Sequence, residues 1–134
     1  MDSTDKFREY IHETADRLEG PSDDAWHSLV ECGRAALPHI VDAYRATRDL
    51  DKKLALISVV AEYRTHEALD FLGAALASRE DQIWKSALDG LVMLGGESAR
   101  DVLRRAAQSA DSTKLEWIAE ALSQIETSAE DRRS

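Results

Sequence analysis

The sequence predicts an all-α protein, a right-handed α-solenoid of about four helix pairs, or about eight helices. Three observations predict it. The composition is that of a helical globular chain, with abundant alanine and leucine and only two prolines. The apolar residues follow a helical period, and nothing reads as a strand. The same apolar pattern then recurs at an interval of 31 residues.

The length of 134 residues fits one domain over 1–134, with 127–134 ("TSAEDRRS") expected as a flexible tail. Hydrophobic residues make up 43%, which places the chain among folded proteins. The net charge of −9 disfavours nucleic acid and anionic lipid as general partners. Cys32 is the single cysteine, so no intrachain disulfide forms and a reducing compartment fits. No apolar run is long enough to span a bilayer, and the acidic "MDSTDKFREY" is unlike a signal peptide. A cytoplasmic protein is expected.

The spacing predicts helices over 5–18, 23–32, 36–47, 51–63, 66–78, 81–94, 97–109 and 112–126. In "GPSDD", Gly20 ends the first helix and Ser22 is the expected cap of the second. "DLD", "SRED" and "ADS" provide acidic starts that suit the helix dipole, and Gly95 and Gly96 end the sixth helix. Residues 56–72, "LISVVAEYRTHEALDFL", align without a gap on 87–103, "ALDGLVMLGGESARDVL". Val60 meets Leu91, Tyr63 meets Leu94, Ala68 meets Ala99 and Leu72 meets Leu103. One step on, Leu122 and Ile125 continue the series; one step back, Leu29, Cys32, Ala36 and Ile40 take the same places.

Over residues 23–126 these units resemble HEAT repeats, the short variety of roughly 30 residues found in phycobilin-lyase-like proteins. The first helices of the pairs are then "ALPHIVDAYRA", "EALDFLGAALA" and "SARDVLRRAAQ". The second are "KLALISVVAEY", "IWKSALDGLVML" and "LEWIAEALSQI", and helix 5–18 completes a degenerate first pair as a cap. The family's inter-helix Asp and following Arg are only loosely kept. Asp49, Glu80 or Asp81, and Asp111 occupy the turns, while Leu54, Lys85 and Glu116 stand at the expected basic position. A helical bundle with an accidental period is the competing fold.

Each second helix has a core side and a free side. For 81–94 the core side is Trp84, Ala87, Leu88, Leu91 and Leu94, and Gly90 falls on the flank beside Ser28, Val59 and Ala121 of the other units. A small flank lets neighbouring helices approach, which explains a glycine that costs ~1 kcal/mol in propensity. The free side is Gln82, Ser86, Asp89 and Met93. Its equivalents are Asp24, His27 and Glu31; Asp51, Ala55, Ser58 and Glu62; and Thr113, Trp117, Glu120 and Gln124. In the last helix, Leu115, Ile118, Ala119, Leu122 and Ile125 are assigned to the core, so Trp117 is expected to contribute to folding by no more than roughly ±0.5 kcal/mol.

The resemblance implies that second helices line a concave face. That face would carry Asp24, Glu31, Asp51, Glu62, Asp89 and Glu120, with Met93 and Trp117 as large apolar anchors and no Lys or Arg in the same rows. Such a face suits a basic protein or peptide. An ordinary solvated acidic surface, with Trp117 covered by the tail, is the alternative.

No metal, cofactor or catalytic residue is expected. His12, His27, His39 and His66 form no paired-ligand motif, and Cys32 falls on a core position. "LGGESAR" lacks the lysine and preceding strand of a phosphate loop, and Arg100, Arg104 and Arg105 suit a mixed-charge helix surface at least as well as a phosphate site. The expected function is a non-enzymatic protein-binding module. The alternatives are an immunity or antitoxin-like protein that neutralises a basic toxin, and a small HEAT-like enzyme subunit related to phycobilin lyases. A homodimer through the C-terminal repeat edge is a further expectation.

Overall fold

The structure, a computed structural model, describes the backbone of residues 3–19 and 23–133, with side chains over 5–19 and 23–125. Among the described residues there are eight α-helices and no strand. They are α1 (Ser3–Asp16), α2 (Asp24–Cys32), α3 (Leu37–Ala46), α4 (Leu50–Glu62), α5 (His66–Ala75), α6 (Asp81–Leu94), α7 (Gly96–Ala107) and α8 (Ser112–Arg133). A single 3-10 turn at Arg34–Ala36 leads into α3. The helix α5 is shorter than expected, and α8 continues to Arg133, past residue 126. The chain groups into two compact units, Met1–Ala68 and Leu69–Ser134.

The 31-residue interval is written into the local geometry. The starts of α4, α6 and α8 at Leu50, Asp81 and Ser112 are 31 residues apart. The acids that precede them act where their length allows. The Asp49 carboxylate accepts from the amides of Asp51 (3.0 Å) and Lys52 (3.4 Å), and that of Asp111 accepts from the amide of Lys114 (2.8 Å). Glu80, longer by one methylene, makes no side-chain cap bond. These bonds satisfy amides that a helix start leaves without partners. At α2 the cap is Asp23, which accepts from the amide of Trp26 at 2.7 Å; Ser22, the expected cap, lies outside the described residues.

The turn after each second helix repeats as well. Gly33, Arg64 and Gly95, spaced by 31 residues, have φ of 75°, 51° and 63°. Glycine takes this left-handed region without steric cost. Arg64 adopts it against a Cβ penalty of roughly 1–2 kcal/mol, so the turn geometry outweighs local preference at that position.

A second register was missed in the sequence. Lys52 and Lys114 occupy the same place in the first turn of α4 and α8. The Lys52 ammonium donates to the Asp16 carbonyl (2.7 Å) at the end of α1. The Lys114 ammonium donates to the Leu76 carbonyl (2.8 Å), just past the end of α5. Each cation thus meets the negative end of a helix dipole. The sequence looked for this basic residue two positions later, at Leu54 and Glu116.

In the first unit, α1 packs on α2, α3 and α4, and α4 also packs on α2 and α3. Ile11, Leu18, Leu29, Ile40, Leu56 and Val60 fill its core. In the second unit, α6, α7 and α8 pack on one another around Trp84, Leu88, Leu91, Leu103, Ile118 and Ile125. Gly90 is buried, as a flank position requires. Close approach to a glycine also occurs where the sequence did not place it. A Cβ on Gly73 of α5 would lie 3.0 Å from Val102 Cγ1 of α7.

Candidate functional site: two second-helix surfaces

The free sides of the second helices form one surface in each unit. In the first, α2 lies beside α4. The Trp26 indole donates to Ser58 Oγ at 2.5 Å, and the Tyr63 hydroxyl donates to the Leu29 carbonyl at 2.6 Å. These bonds cross from one helix to the other at two levels. The free side of α4 needs correction: Ala55, expected there, is fully buried, and Ser58, which accepts from Trp26, is half-buried. Of the free-side residues of α4, only Asp51 and Glu62, at the helix ends, are exposed.

Asp24, His27 and Glu31 are all exposed along α2. The basic residues of α4 do not answer these acids. Lys52 is held at the end of α1, and the Lys53 ammonium lies over the Tyr44 ring, 5.4 Å from its centre. Asp24, Glu31 and Glu62 form no ion pair within 4.0 Å among the described residues. Cys32, expected in the core, is half-buried at the end of this surface. Burial, with Glu31 beside it, raises its thiol pKa, the opposite of what an activated nucleophile requires. The Tyr63 hydroxyl is also raised, mainly by burial and secondarily by Cys32.

In the second unit, α6 lies beside α8. Asp89, Met93, Trp117 and Glu120 are exposed, with Met93 at 43% and Trp117 at 45%. Trp117 is not isolated, however. Its ring meets the buried Trp84 edge to face, with centroids 5.9 Å apart at 87°. The Trp84 indole donates to Asp81 Oδ1 at 3.1 Å. Such aromatic pairs contribute about 0.5–1.5 kcal/mol beyond area burial. The wheel that left Trp117 without a folding role therefore needs correction.

The core side of α8 differs from expectation too. Ile118, Ala121 and Ile125 are buried and Leu122 is half-buried, whereas Leu115 (44%) and Ala119 are exposed. The buried stripe is rotated toward Lys114 because α8 is covered on one side, by α6 and α7. A sequence wheel centred on every apolar residue places the stripe too far toward Leu115.

The second surface also holds a cation that the row assignment overlooked. Lys85 lies off the free-side row, but its ammonium reaches over Trp117, 4.6 Å from the ring centre, and lies 5.5 Å from that of Trp84. Asp89 and Glu120 form no ion pair within 4.0 Å among the described residues. Glu120 accepts a long hydrogen bond from Gln124 at 3.5 Å.

Among the described residues no group of three or more His, Cys, Asp or Glu is placed to hold a metal, and no helix is long and apolar enough to cross a membrane. The chain matches no protein-family model, no curated protein and no solved structure.

Proposed function

We propose that the helices form HEAT-like pairs in a right-handed solenoid, and that the chain is a non-enzymatic protein-binding module whose acidic second-helix face captures a basic protein or peptide. One observation carries the reading. Asp24, Glu31, Glu62, Asp89, Met93, Trp117 and Glu120 are all exposed, and none of the five acids is neutralised by an ion pair among the described residues. Unpaired acids accelerate encounter with a basic partner, while Met and Trp supply contact energy and adaptability. The narrower reading is neutralisation of a basic toxin. The exposed Leu115 and Ala119 favour self-association at the C-terminal edge as a second contact.

The test is kinetic. A protein retained by the immobilised chain from its native lysate should be basic, and its association should slow as salt rises. The Debye length falls from about 10 Å at 0.1 M to about 3 Å at 1 M. Glu62→Gln with Asp89→Asn should reproduce part of that loss in rate. Association indifferent to salt and to both substitutions would reduce the surface to solvated acid.

A further inference from the structure

Lys85 carries a chemistry that an acidic ridge does not use. Its side chain is half-buried, and among the described residues its ammonium makes neither a hydrogen bond nor an ion pair. It lies over two tryptophan rings instead. Two carboxylates stand at helical reach, Asp81 four residues before and Asp89 four residues after. Asp81 accepts from the Trp84 indole, and Asp89 is exposed and unpaired. Lys85 therefore occupies the face of an exposed tryptophan in preference to a nearby acid. Lys114 is different: it also approaches Trp84, at 5.3 Å, but its carbonyl partners at the end of α5 fix its place.

We propose that Lys85 is an internal stand-in on Trp117. It holds the position that an arginine of a basic partner takes, and it swings toward Asp89 when that arginine arrives. The inference rests on the proposed capture of a basic partner and specifies the contact. The ring already takes a cation at 4.6 Å, so the chemistry of the occupant is visible in the molecule itself. A guanidinium is planar and less strongly hydrated than an ammonium, and it stacks on an aromatic face where lysine offers a point charge. A cation over an exposed ring is weakly held and therefore exchangeable. Asp89, one turn past Lys85 on α6, and Glu120, one turn past Trp117 on α8, are both exposed and offer carboxylates to the incoming charge. On this account Lys85 lowers affinity, because the partner must displace it.

The experiment measures binding of a hexa-arginine peptide to the full chain by titration calorimetry. Lys85→Met keeps an unbranched apolar side chain against the rings and removes the charge. Arg79→Met removes an exposed charge elsewhere in the same unit and serves as the electrostatic reference. Lys85→Met should tighten binding about two- to five-fold more than Arg79→Met, the equivalent of one exposed cation–π contact. That excess should vanish in a Trp117→Leu background. In the unsubstituted chain the Trp117 indole N–H resonance should shift on peptide addition, a reading that needs no variant. An equal gain from Lys85→Met and Arg79→Met, or a gain that survives Trp117→Leu, overturns the stand-in. If salt, Asp89→Asn and Glu120→Gln still weaken the peptide in that case, the capture reading stands without it. Absence of saturable binding to both the unsubstituted chain and Lys85→Met overturns both.

Discussion

Trp84→Ala should be the most damaging single change at the site, lowering stability by about 3–5 kcal/mol. Trp84 is 3% exposed and reaches from α6 to α8. Its indole is bonded to Asp81, and two lysine ammoniums lie within 5.5 Å of its ring centre. Truncation removes a large core side chain, the edge-to-face partner of Trp117 and a hydrogen bond together. Against a whole-domain stability of about 5–15 kcal/mol, that is a large share. The urea midpoint should fall by at least about 1 M. A loss under about 1 kcal/mol would mean that the α6–α8 interface collapses around the gap and that Trp84 does not organise the surface above it.

Trp117→Ala should separate binding from folding, though less cleanly than the sequence implies. As an exposed aromatic at 45%, it should cost at least about 2 kcal/mol of partner affinity. Its contact with Trp84 adds a folding cost of about 0.5–1.5 kcal/mol. That exceeds the roughly ±0.5 kcal/mol of an ordinary surface change. Affinity and urea stability measured on the same variant test both parts. A stability loss as large as that of Trp84→Ala would place Trp117 in the core. Unchanged affinity would remove it from the contact surface.

The helices were legible because the helical period and the repeat interval are additive signals. Eight helix segments, and the 31-residue spacing of Leu50, Asp81 and Ser112, follow from pattern alone. The exposure of Asp24, Glu31, Glu62, Asp89, Met93, Trp117 and Glu120 followed too, because charged and polar neighbours fix the solvent side of a helix. What escaped was set by reach and by the neighbour. Ala55 is buried on a helix that packs against α1, α2 and α3, and a helical wheel contains no neighbouring helix. Leu115 and Ala119 are exposed because α8 is covered on one side, which hydrophobicity cannot reveal. Lys85 sits off the free-side row, yet its four-carbon stem carries the charge onto Trp117. Lys52 and Lys114 were visible only as charges, while their role depends on helix ends more than 30 residues away. The signal that would have found them is their identical repeat position.

The acidic second-helix surfaces, rather than the exposed acids and bases of α3 and α7, should receive a basic partner. Amide and indole chemical-shift mapping with hexa-arginine, at about 0.1 M and about 1 M salt, tests it most directly. Shifts at low salt should concentrate on Asp24, Glu31, Glu62, Asp89, Met93, Glu120 and the Trp117 indole, and should fade at high salt. Shifts centred on Asp42, Arg45, Asp101 and Arg105 of α3 and α7, or spread evenly over the helices, would contradict it.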